Sequence, residues 1–152
     1  MINLILLHNP RWSKSRESVK ILKENNVEFQ IMDYLKNPPT VKLLKKLSHL
    51  MDLSPKDFIR KKEAVFKELN LAHHLEDNDY LFERMHENPK LIERPIAYND
   101  EKAVLGRPPE KVMTIIWSQF IVTSLLNYFL INILILSNTA FLSLSTIQYE
   151  FD

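Results

Sequence analysis

Residues 4–18, LILLHNPRWSKSRES, limit the fold more than any other stretch of the chain. Four consecutive apolar residues (Leu4, Ile5, Leu6 and Leu7) suit a strand buried on both faces. His8-Asn9-Pro10 ends it, because Pro10 has no N–H for a ladder and turns Asn9 away from helical angles. Ser13 or Ser15 can then cap a helix that carries Val19, Ile21 and Leu22 and stops at Asn25-Asn26, where asparagine tolerates left-handed backbone. Strand, tight loop and helix leave unpaired N–H groups and the positive end of the helix dipole above the loop. With Arg11, Lys14 and Arg16 close by in sequence, this place favours an anion.

The rest of the chain extends this start into a layered α/β fold. Val27 to Met32 alternates apolar and polar residues with a period of two and predicts a second strand. The resulting βαβ unit calls for parallel strands and a right-handed crossover. Thr40 can cap a helix with Val41, Leu43, Leu44, Leu47 and Leu50 on its apolar face. Ser54 to His86 is helical and charged, with Ser54-Pro55 as N-cap and first-turn proline, and reads as a helical insertion. Leu69, Leu71 and Leu75 are its core anchors. Leu91-Ile92 with Ile96-Ala97-Tyr98, then Ala103-Val104-Leu105, predict an antiparallel hairpin around the turn at Asn99 to Lys102. Pro95 requires an edge, a loop or a cis peptide there. Pro108-Pro109-Glu110 begins a C-terminal helix through Val112, Met113, Ile115 and Ile116.

Charge is distributed unevenly. All twenty Lys and Arg and seventeen of the nineteen acids lie at or before Lys111, a net +3, and no charged residue occurs from Val112 to Tyr149. No basic stripe interleaved with aromatics points to nucleic acid. Zero cysteine excludes disulfides, thiolate metal sites and cysteine redox chemistry. His49, His73, His74 and His86 lack metal-ligand spacing, so neither a metal nor another bound cofactor is expected. The polar residues soon after the first strand do not make a signal peptide, and the first part is expected in the cytoplasm.

Several separated blocks carry a family resemblance: HNPR-x-SKSR, Tyr34-Leu35-Lys36-Asn37-Pro38-Pro39, Arg60-Lys61-Lys62-Glu63, Ile92-Glu93-Arg94-Pro95-Ile96 and Leu105 to Lys111. In order and spacing, over about residues 2–117, they resemble the glutaredoxin-coupled arsenate reductases of the ArsC family. The resemblance implies a thioredoxin-like fold with a cis peptide before Pro95. It also implies an arsenate-like oxyanion as ligand, held by Arg60, Arg94 and Arg107, with glutathione as co-substrate and glutaredoxin as protein partner. Guanidinium suits that task because its planar fork bonds two oxygens at once. His8 matches the histidine that favours the family's thiolate, and Ser15 the serine that hydrogen-bonds near the sulfur.

One position breaks the pattern. Where the family has its nucleophilic cysteine, between Arg11 and the SKSR run, this chain has Trp12. In the family a thiolate attacks bound arsenate, glutathione attacks the adduct, and glutaredoxin reduces the mixed disulfide. An indole offers neither an anionic lone pair nor a leaving thiol, so every step after binding is lost. The expectation is therefore an arsenate reductase-like chain without reductase activity. A non-catalytic thioredoxin-fold regulator or anion-binding protein is the reading from a different class.

Residues 1–117 thus form the reductase-like domain and residues 118–152 an apolar tail. Phe120 to Leu136 is nearly all apolar, and the uncharged stretch over residues 118–147 is long enough to cross a bilayer of about 30 Å as a helix. Two origins are open for it: a selected membrane anchor, or an unselected extension with the Ile, Leu, Asn, Phe, Ser and Tyr bias of translated A/T-rich DNA. Packing into a soluble core or dimer contact is a third.

Overall fold

Leu4, Leu6 and Leu7 are fully buried because their strand lies inside a four-stranded sheet. In the computed structural model, which describes residues 3–117, β1 (Ile5–His8) pairs in parallel with β2 (Gln30–Asp33) and antiparallel with β3 (Ile96–Tyr98). β4 (Ala103–Leu105) completes the order β2-β1-β3-β4 as the outer arm of an antiparallel hairpin. Helix α1 (Ser13–Glu24) connects β1 to β2, so the expected βαβ unit and hairpin are both present. This mixed α/β sheet is the thioredoxin-like arrangement.

Side-chain alternation along the sheet divides the core in two. Leu7 faces Ile96 in register, and both join a cluster with Leu44, Leu47, Phe58, Leu81 and Met85. That cluster is built by α2 (Val41–Met51) packing on α5 (Asn78–Glu87), with the short helices α3 (Pro55–Phe58) and α4 (Ala64–Glu68) between them in the chain. Leu6 pairs with Ala97 instead. These two, with Leu4, Leu22, Val112 and Met113, are buried outside the cluster, and α1 packs there against a 3-10 segment at Pro109–Met113. Leu71 anchors a 3-10 turn inside the insertion, which lies between the two strand pairs as expected.

Local chemistry accounts for the boundaries. Thr40 caps α2 by accepting the Leu43 N–H at 3.2 Å. Ser54 precedes Pro55, and the Asp57 carboxylate accepts from the Ser54 N–H at 3.1 Å, which fixes the start of α3. Asn26 takes φ 54°, in the left-handed region, and ends α1.

Four expectations shift. The second strand begins at Gln30 rather than Val27, because the Val27 N–H closes the end of α1 by donating to Leu22 O at 3.0 Å. Residues 89–91 form a 3-10 turn after Pro89, so Ile92 meets Ile59 only as an isolated bridge. The segment after Pro108 opens as 3-10 over Pro109–Met113 and becomes α-helical from Thr114. Neither Ser13 nor Ser15 caps α1; Trp12 holds the cap position with no side-chain hydrogen bond. The proposed apolar tail lies outside the described residues. Among those described, no helix is long and apolar enough to cross a membrane.

Gly106, the sole glycine, is required by close approach. A Cβ there would lie 2.8 Å from Pro95 Cγ and 2.9 Å from Val112 Cγ1. A proline ring and a β-branched side chain in the core cannot swing aside. Gly106→Ala is expected to cost about 1–3 kcal/mol, as overpacking does, read as a lower urea midpoint. Ile31→Ala, on the exposed edge strand, should stay within about 0.5 kcal/mol. Equal midpoints for Gly106→Ala and wild type would overturn the packing argument.

Candidate functional site

The loop after β1 is fixed by its own hydrogen bonds. Asn9 N–H donates to Ser15 Oγ at 3.0 Å, and Asn9 Oδ1 accepts from the Arg11 N–H at 3.0 Å. Trp12 N–H returns to Asn9 O at 3.2 Å, and Arg16 Nη1 donates to Pro10 O at 2.8 Å. The result presents Trp12 at the head of α1, 44% exposed.

Ser15 faces inward, which is why it does not cap. Its hydroxyl is fully buried and lies 2.8 Å from His8 Nδ1. Burial pushes the His8 pKa below its usual 6.5, against the opposing effects of the Ser15 contact and of Asp33. A neutral imidazole accepting the Ser15 proton at Nδ1 suits this arrangement.

The three arginines come from three segments, and the isolated bridge holds together those of Arg60 and Arg94. Arg60 N–H donates to Leu91 O at 2.7 Å and Glu93 N–H to Phe58 O at 2.9 Å, which sets residues 58–60 beside residues 91–93. Arg94 follows, before a cis peptide to Pro95, and its guanidinium is buried with Nη1 donating to Ile92 O at 3.3 Å. Gly106 N–H donates to Pro95 O at 2.8 Å, and Arg107 Nε donates to Arg94 O at 3.3 Å. The Arg107–Pro108 peptide is also cis.

Two carboxylates, which sequence reasoning did not assign to the site, lie among these cations. Glu63 pairs with Arg60, and Glu93 pairs with Arg107 at 2.7 Å and approaches Arg60 Nε at 3.9 Å. Their signal was present in the blocks RKKE and IERPI, each setting an acid beside or three residues from an arginine. Arg94 has no carboxylate in salt-bridge range among the described residues, and its Nε is buried without a hydrogen-bond partner. Burial, then the charge of Arg94, pushes the Arg60 pKa below its ordinary value. Arg60 still remains a cation near neutrality.

Trp12 lies against this cluster. The guanidinium carbons of Arg94 and Arg60 sit 4.2 Å and 4.7 Å from its ring centroid, both within cation–π range. Beside the indole is a cavity of about 220 Å³ lined by Asn9, Trp12, Tyr34, Leu35, Arg60 and Arg94 among others. The Tyr34 hydroxyl is buried near the side chains of Asn9 and Arg94, and burial raises its pKa above 10.0 although both neighbours pull it down. The structure therefore brings Trp12, Arg60, Arg94 and Arg107 together, with His8 and Ser15 behind the loop. Of the remaining histidines, His74 packs on Tyr80 at 4.7 Å and His86 Nδ1 meets Pro39 O at 3.0 Å.

A thioredoxin-like sheet with arginines gathered at the head of its first helix defines the class. The chain belongs to the ArsC family, whose model matches residues 7–115. It is 44% identical over 112 residues to the uncharacterized protein YfgD of Escherichia coli strain K12, covering 73% of this chain and 94% of that one. It is 35% identical over 117 residues to an arsenate reductase of Neisseria meningitidis, covering 76% of this chain and all of that one. An arsenate reductase from Vibrio cholerae has a solved structure that superposes with a TM-score of 0.72 at 41% identity, covering 75% of this chain and 98% of that one.

The lowered His8 pKa has a consequence for stability. The unfolded chain binds the His8 proton near pH 6.5, whereas the folded chain binds it only at lower pH. Between those values the unfolded state holds more protons, so stability falls as pH drops through 6.5 towards the folded pKa. His8→Gln should flatten the wild-type decline in this window. A His8 C–H resonance that titrates at or above 6.5 in the folded protein would contradict the assignment.

Proposed function

We propose that this protein is a thioredoxin-fold member of the ArsC family that keeps an arginine-lined anion site but does not reduce arsenate. Family membership and the gathered arginines support the first half. The single observation that carries the second is an indole, in place of a thiol, lying 4.2 Å and 4.7 Å from the two guanidinium carbons. Arsenate reduction in this family needs a sulfur that first attacks arsenic and then leaves as part of a disulfide. The indole ring can do neither. His8, which would serve a thiolate beside it, is spent on a neutral contact to Ser15 instead. Glutathione and glutaredoxin then have no adduct to resolve. What remains is binding, by Arg94 above all, because Glu63 and Glu93 already occupy Arg60 and Arg107.

The test is an arsenate reductase assay with glutathione and glutaredoxin on wild type and on Trp12→Cys. Wild type should form no arsenite above the enzyme-free blank. Trp12→Cys should restore turnover, since the loop, helix head and arginines are otherwise in place. Arsenite formation by purified wild type overturns the proposal.

A further inference from the structure

The cavity beside Trp12 sets apolar side chains next to fixed cations, a lining that suits an anion with an apolar body. Its volume of about 220 Å³ falls below the roughly 300–1,000 Å³ of sites for drug-sized ligands, which restricts the occupant to a fragment. Trp12, Tyr34 and Leu35 form apolar wall, whereas Arg60 and Arg94 provide charge.

One buried donor of this wall lacks a partner: Arg94, 3% exposed, has an unpaired Nε. A buried donor of this kind is satisfied by something, and an acceptor in the cavity would serve.

The lining is net positive, with Arg11, Arg60, Lys90 and Arg94 against Glu63, which calls for an anion. Geometry sets the rest. Cation–π contact uses the face of a guanidinium, while its N–H donors radiate in plane. Trp12 therefore covers Arg94 and Arg60 without consuming their donors, and its half-exposed indole also offers an aromatic surface at the mouth.

We propose that this cavity binds a small aryl carboxylate, with its carboxylate on the in-plane donors of Arg94 and its ring against Trp12. The inference rests on reading the pocket as an anion site, and adds the aromatic body that Trp12 selects.

Calorimetric titration of the full-length protein tests it, with benzoate, cyclohexanecarboxylate, acetate and inorganic phosphate as probes. Benzoate should bind at least fivefold more tightly than acetate and more tightly than cyclohexanecarboxylate, which has similar bulk but no π face. Trp12→Leu, which keeps apolar bulk, and Trp12→Ala should each abolish the benzoate advantage over cyclohexanecarboxylate. Arg94→Lys should weaken every carboxylate while the melting transition stays cooperative. A benzoate-to-acetate ratio below fivefold, or a benzoate preference that survives both Trp12 variants, overturns the aromatic inference. Phosphate binding without carboxylate preference does so too but leaves the anion site standing. Binding of none of the four overturns both.

Discussion

Like charges do not gather in a protein interior without something to offset their repulsion, and the arrangement of Glu63 and Glu93 meets that constraint here. Arg94 is almost wholly buried, and Arg60 is only 11% exposed in its side chain. Removing two cations from water costs several kcal/mol each before their mutual repulsion is counted. Glu63 on Arg60 and Glu93 between Arg60 and Arg107 make the cluster bearable. Trp12 contributes a further offset, with cation–π contacts of between about 0.5 and 2 kcal/mol each. The carboxylates and the indole are thus part of how the site exists as well as of what it can bind.

Backbone contacts deliver these residues to one place. The Ile59–Ile92 bridge aligns residues 58–60 with residues 91–93, and the contact from Gly106 to Pro95 draws Arg107 to Arg94. Gly106 is what allows that second approach, with Pro95 and Val112 where a Cβ would project. A site assembled from residues 34 positions apart (Arg60 and Arg94) and 13 apart (Arg94 and Arg107) therefore depends on short backbone contacts outside the regular sheet.

Legibility in the sequence followed the range of the forces involved. The apolar run at Leu4 to Leu7, the stop at Asn25-Asn26 and the cap at Thr40 are local, and each lies where local chemistry puts it. The hairpin of β3 and β4 is equally local. The grouping of Arg60, Arg94 and Arg107 came from family resemblance, since nothing in their spacing shows that a bridge joins the segments that carry them. Glu63 and Glu93 escaped notice because a charge beside an arginine reads as solvated surface until burial is known. Ser15 reads both as a cap and as a site hydroxyl for a related reason. A hydroxyl near a helix start has two uses, and only the position of His8 decides between them. Leu91-Ile92 reads as strand because a short apolar run cannot reveal that Pro89 draws Leu91 into a 3-10 segment.

The change at position 12 also separates two properties that a cysteine would combine. A thiolate at the head of α1 is at once the nucleophile and a negative charge beside the arginines, so reactivity and electrostatics cannot be varied independently. Tryptophan carries no charge, yet it stabilises the neighbouring cations through its quadrupole. The arginines need not scatter once the sulfur is absent, because the indole takes over part of its electrostatic task. A frame of this kind persists as long as its charges are balanced, whether or not a bond can be made at its centre.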